Sequence, residues 1–138
     1  MNIPRLLLAI VVAFIIIFGT DFLIHVMWLK PDYEATKAIW RPENEMKDYM
    51  LWMSLGQLLC AATLCVIWAM GFGGRCAGTG ALFGLIMGMF QQVWVLIIYM
   101  ILPMPANLAV KWYFSGLSQA ILIGIAVALI YKPRATAA

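Results

Sequence analysis

Four stretches of this sequence are long, apolar and almost free of charge, and they restrict the chain to one kind of fold. They run over about Leu6–Leu29, Tyr49–Met70, Thr79–Leu102 and Leu108–Tyr131, and only Asp21 and Lys111 bring a formal charge into any of them. A helix needs roughly 20 apolar residues to cross the hydrocarbon core of a bilayer, and each stretch reaches that length. With 65% hydrophobic and 11% charged residues, against roughly a quarter charged in a soluble domain, the chain lacks the polar surface to cover a globule in water. The expected fold is an all-α membrane protein over residues 1–138. It has four transmembrane helices in an antiparallel bundle and a short interfacial helix between the first and second.

The opening "MNIPRLLLAIVVAF" imitates a secretory signal, with one arginine before an apolar run. No A-x-A-like cleavage site follows, and the run continues past Phe18 to Trp28, so it reads as an uncleaved first membrane helix. Two of the connections are short. "GFGGRCAG" (71–78) is a tight turn, and "PMPAN" (103–107) is another, with Asn107 expected to cap the fourth helix. Short loops make the second, third and fourth helices expected antiparallel neighbours.

The third connection, residues 30–48, is different in kind. "KPDYEATKAIWRPENEMKD" holds five of the six acids and four of the nine Lys and Arg residues. Asp32 is a candidate N-cap for a short helix "YEATKAIW", whose Tyr33, Ile39 and Trp40 would rest on the membrane surface. Pro42 suits the first turn of the following helix, with Glu43 and Glu45 at its positive dipole end. The segment therefore reads as an ordered interfacial elbow rather than a plain solvated loop.

Orientation rests on few charges. Four spans put both termini on one side with Arg5, Arg75, Lys132 and Arg134, and leave Lys30, Lys37, Arg41, Lys47 and Lys111 on the other. The basic tail "YKPR" and the turn at Arg75 carry no nearby acid, which favours cytoplasmic termini in a bacterial inner membrane. Trp28, Trp40, Tyr49, Trp52, Tyr99, Trp112 and Tyr113 fall near the elbow face, and Phe72 and Tyr131 near the opposite one. That is the belt expected where amphipathic rings meet headgroups.

Small residues recur every fourth position. Gly80, Gly84 and Gly88 do so in the third span, and Gly116, Ala120, Gly124 and Ala128 in the fourth; Ala61, Cys65 and Ala69 form a weaker series in the second. Such spacing clears one helix face so that backbones approach closely, and van der Waals contact then holds helices together in lipid. Cys60 and Cys65 are expected to be small packing residues. Three cysteines without C-x-x-C or Cys/His spacing point to neither a disulfide framework nor a zinc site.

Counted inward from the elbow side, Asp21, Gln57, Gln91, Gln92 and Gln119 all fall roughly 12–17 Å deep at 1.5 Å per residue. A carboxylate there is costly unless paired or hydrated, so it should face the bundle interior, where the glutamines can donate to it. His25, the only histidine, lies one turn nearer the surface on the same face. Three roles are open for this group. It is a hydrogen-bonded layer that fixes helix register. Alternatively, His25 ligates heme or a chlorophyll-type pigment, its second nitrogen held by Asp21. Or Asp21 and His25 line a proton or ion path, for which a second mid-membrane carboxylate or cation is missing. One histidine cannot supply bis-histidine heme ligation within the chain. No Ser/His/Asp set, GxSxG, HExxH or phosphate loop occurs, and "GFGGRCAG" lacks the Lys-Ser/Thr of a P-loop.

"DFLIHVMWLKPDYEATKAIWRPENEM" and "LPMPANLAVKWYFSGLSQAILIGIAVALIYKP" resemble small bacterial integral membrane proteins of four helices. That family shares a "YEAT…WRPE" elbow, an "LPxP" break and an "ALIYKP" ending. The resemblance covers nearly the whole chain and implies the topology, without an activity, substrate or cofactor. The expected function is that of a non-catalytic accessory or scaffold subunit packing against other transmembrane subunits of a larger complex. Bound lipid suits its grooves, and nothing in its charge suits nucleic acid. The alternatives are a cofactor-binding subunit using His25 and a small transporter or channel component using Asp21.

Overall fold

A computed structural model describes residues 1–133, except for the side chain of Glu43; Arg134, counted above among the charges beside the termini, lies outside the described residues. The described chain is all-helical. Helix α1 (Ile3–Asp21) continues without a break into a π-helical segment (Phe22–Trp28), and α2 (Lys30–Ala35) follows with a 3₁₀ turn (Lys37–Ile39). The remaining helices are α3 (Glu43–Gly71), α4 (Ala77–Ile101) and α5 (Ala106–Ile130). Four helices are long and apolar enough to cross a membrane: Ile3–Trp28, Asn44–Gly71, Ala77–Ile101 and Ala106–Ile130.

Each boundary has a local cause. The side chain of Asn2 accepts from the Arg5 amide at the start of α1, where Pro4 occupies the first turn. Helix α2 begins at Lys30, because Pro31 presets a helical φ in its first turn, and Leu29 is its cap. The expected start at Tyr33 with Asp32 as cap is therefore corrected: Asp32 lies inside α2 and its carboxylate turns to Lys111. Pro42 is the cap of α3 and not a first-turn residue, and α3 extends six residues beyond the apolar stretch that begins at Tyr49. Glu43 and Glu45 thus open α3. Pro105, not Asn107, caps α5, since a proline at that position has no amide to leave unsatisfied; Asn107 is already helical.

The main core contains Leu6, Ala9, Ala13 and Ile17, one face of α1, packed with Ala61, Leu64, Cys65 and Trp68 of α3 and Ile123, Val127 and Ala128 of α5. No fully buried residue among those described is polar or charged. The outer faces carry Leu8, Ile15, Leu59, Phe90, Met100 and Leu129, all exposed, as expected of helices that face lipid.

The tightest contact joins α4 to α5 through the small-residue stripes. A methyl group on Gly124 would lie 2.9 Å from the Gly84 amide nitrogen, and one on Gly88 2.8 Å from the Ala120 Cβ. Only glycine lets these two backbones meet. Helix α3, by contrast, packs mainly on α1 rather than on its chain neighbour α4. It touches α4 near the turn, where Phe83 meets Trp68 edge-on and Phe72 at a tilt, and through Gln91 Nε2, which donates to Cys60 Sγ at 2.9 Å. Tyr131 is buried, and its hydroxyl accepts from the Asn2 amide at 3.4 Å, tying the end of α5 to the start of α1.

Candidate functional site

Asp21 stands where α1 changes from α to π geometry, a local widening that re-aims the side chains after it and recurs at functional sites. Gln57 of α3 donates Nε2 to Asp21 Oδ2 at 2.6 Å. Gln119 of α5 donates Nε2 to Oδ1 at 2.7 Å and to Thr20 Oγ1 at 2.6 Å. The Thr20 hydroxyl in turn donates to the Ile16 carbonyl at 2.6 Å. Three helices therefore meet on one carboxylate. Gln57 Oε1 is buried with no hydrogen-bond partner among the described residues.

The other two glutamines do not reach the acid. Gln91 is turned towards Cys60 on the α3 side of α4. Gln92, one residue on and about 100° round the helix, lies over Gly116, where a Cβ would collide with its amide. The five residues expected at one depth thus divide into an Asp21–Gln57–Gln119 cluster, a Gln91–Cys60 pair and Gln92 apart.

His25 does not use Asp21 to hold a ring nitrogen, as the sequence suggests. Its Nδ1 is 2.5 Å from the Tyr33 hydroxyl, and Trp112 Nε1 donates to that same hydroxyl at 2.8 Å. Indole can only donate, so the phenol accepts from Trp112 and keeps its own proton to give. His25 Nε2 makes no hydrogen bond among the described residues, and the direction of the Tyr33 bond goes with the histidine tautomer. The π segment and the folded-back α2 bring these rings together, with Tyr33 stacked 6.0 Å from His25 and edge-on to Trp40 at 5.6 Å.

The elbow is held to α5 by a second core and an ion pair. Leu29, Met104, Leu108 and Ala109 are buried, with Tyr33, Ile39, Trp40 and Trp112 packed on them. Lys111 Nζ meets both oxygens of Asp32 at 2.9 and 2.8 Å, with only 17% of the Asp32 side chain exposed. Burial pushes the Tyr33 phenol up to about 12; the charges of Asp21 and Asp32 add to the rise, and the Trp112 hydrogen bond opposes it. Sequence reasoning placed Tyr33 and Trp112 only as surface aromatics and Lys111 only as a charge. The available signal was Lys111 itself: a lysine one turn inside an apolar helix calls for an acid, and the elbow supplies five.

Between α1, α4 and α5 lies a cleft of about 150 Å³ lined by Asp21, His25, Gln92, Trp112, Ser115 and Gln119. A heme or chlorophyll-type macrocycle is far larger than this space and would have to bind His25 from outside it. Among the described residues no group of three His, Cys, Asp or Glu side chains could hold a metal ion together.

Neither a family model nor a curated protein matches the sequence, and no solved structure matches the fold.

Proposed function

We propose that the protein is a non-catalytic accessory subunit of a larger membrane complex. It sits as an antiparallel four-helix bundle in a bacterial cytoplasmic membrane, with both termini on the cytoplasmic side and the α2 elbow at the opposite surface. The observation that carries this reading is the elbow-side half of α3. Asn44–Met53 are ten consecutive exposed residues, and apart from Arg41 of the elbow lying over Tyr49, this part of the helix packs against no other helix.

A helix that belonged only to its own bundle would bury one stripe along its length. Helix α3 buries such a stripe from Ala61 onward and none before it. The unpartnered half carries Met50, Trp52 and Met53, adaptable and aromatic anchors of the kind enriched at interfaces. Gly56 has open space around it, whereas the glycines of α4 and α5 already face each other. A transmembrane helix of another subunit could approach closely there. The polar groups inside the bundle fit a structural role in the same scheme, since Gln57 and Gln119 tie α3 and α5 to α1 through Asp21.

Native mass spectrometry after gentle solubilisation tests the proposal. The expected result is a fixed-ratio assembly with at least one other membrane protein. Gly56→Leu, whose Cβ would meet no atom within 4 Å, should keep the helical fold and weaken that assembly. Migration as a lone 15.4 kDa chain, or as copies of itself only, would overturn the proposal.

A further inference from the structure

The Asp21 carboxylate is the only acid in the four apolar stretches, and its hydrogen-bond partners are neutral amides. No lysine or arginine among the described residues pairs with it. Lys111 is held by Asp32 and Lys30 lies against Glu34. A carboxylate inside a membrane without a counter-charge is costly, and such acids face cavities or partners. Asp21 faces the cleft between α1, α4 and α5.

Gln92 brings to that cleft an amide with no hydrogen bond of its own among the described residues, and His25 brings its second ring nitrogen. The one carboxylate on the cleft is Asp21, however, and the other acceptors stand beside it. Two of the roughly four lone-pair positions of the carboxylate are used. Gln119 Nε2 is occupied by Asp21 and Thr20, which leaves its Oε1 as an acceptor. Ser115 Oγ donates to the Trp112 carbonyl at 3.1 Å and keeps its lone pairs. Trp112 has given its N–H to Tyr33 and presents a ring. The complement to this wall is a positively charged donor with an apolar body. At about 150 Å³ the space is comparable with a cavity that admits benzene. That is roomier than a bare metal ion requires, and an aromatic wall supplies no metal ligand.

We propose that the cleft is a binding site for the primary ammonium group of a small amphipathic amine. The R–NH₃⁺ head donates to Asp21, Gln119 Oε1 and Ser115 Oγ, and its apolar body lies along Trp112. Three N–H donors match three acceptors, and the ammonium charge offsets the acid. The site does not depend on the subunit role, because none of its residues belongs to the open half of α3.

Isothermal titration calorimetry on the detergent-purified protein tests it, with benzylammonium chloride as the probe and benzyl alcohol and sodium chloride as comparisons. One saturable site for benzylammonium and no saturable heat from the alcohol are expected. Asp21→Asn should weaken binding by about tenfold or more, and Ser115→Ala by a few-fold. Equal binding of the alcohol would overturn the proposal, as would undiminished binding by Asp21→Asn. Asp21-dependent binding of sodium without benzylammonium would assign the cleft to a metal ion instead. Should Asp21→Asn fail to fold, Ser115→Ala and the alcohol comparison remain decisive.

Discussion

At the scale of residues, one carboxylate and one phenol organise the polar chemistry. Asp21 receives Gln57 and Gln119, and Tyr33 links His25 to Trp112. Removing a donor from Asp21 leaves a partly buried carboxylate oxygen without its bond. Gln119→Leu should therefore destabilise the fold by about 1–2 kcal/mol in a detergent unfolding titration. Tyr33 makes a pH prediction. Its folded-state value is raised to about 12 from 10.0, so the unfolded chain ionises first. Stability contributed by the neutral phenol is complete below pH 10 and falls as the pH rises towards 12. Thermal unfolding of the wild type should show that decline, and Tyr33→Phe should lack it. That Asp21 lies level with Gln57 and Gln119 was legible in the sequence, because counting residues along a straight helix gives position along the axis. Azimuth was not, since the π segment after Asp21 alters the rotation per residue and Gln91 and Gln92 differ by one step round α4. That is why His25 pairs with a phenol eight residues on instead of the acid four residues back.

At the scale of elements, the α4–α5 pair and the elbow differ in how sequence encodes them. The glycine and alanine stripes state the α4–α5 contact outright, because nothing larger fits between the two backbones. Gly84→Leu should separate them: a Cβ there would already lie 2.8 Å from the Ile121 Cα. The expected outcome is loss of folded protein after extraction, whereas Gly56→Leu, with open space around it, should be recovered at wild-type yield. The elbow was legible as an ordered segment from its aromatics and Pro42, but its start was misplaced. Proline at the second position of a helix is as favourable as an Asx cap two residues later, and composition does not choose between them. The anchoring Asp32–Lys111 pair spans 79 positions and has no local signature. Lys111→Met should free the elbow, leaving Asp32 partly buried without its cation at a cost of about 1–3 kcal/mol. Faster amide exchange across 30–40 would report it.

At the scale of the whole molecule, the four spans follow from hydropathy and length, and which helix neighbours which does not. Helix α3 is joined to α4 by a tight turn yet packs on α1, because its small residues Ala61 and Cys65 face the Ala9–Ala13 side of α1. Its other half is left open, and the proposed assembly follows from that. Orientation has its own probe. Cys76 is exposed beside α4, and hydrogen bonds from Thr79 and the neighbouring amides lower its thiol below the ordinary range. With the termini cytoplasmic, a membrane-impermeant maleimide should label Cys76 only after the cells are opened; labelling of intact spheroplasts would reverse the topology. The subunit role is tested most directly by a photo-crosslinking residue placed at Trp52, on the open half of α3, and separately at Ile15, on the outer face of α1. In native membranes, position 52 should give one discrete protein adduct and position 15 only lipid. Lipid adducts alone at both positions would contradict the account.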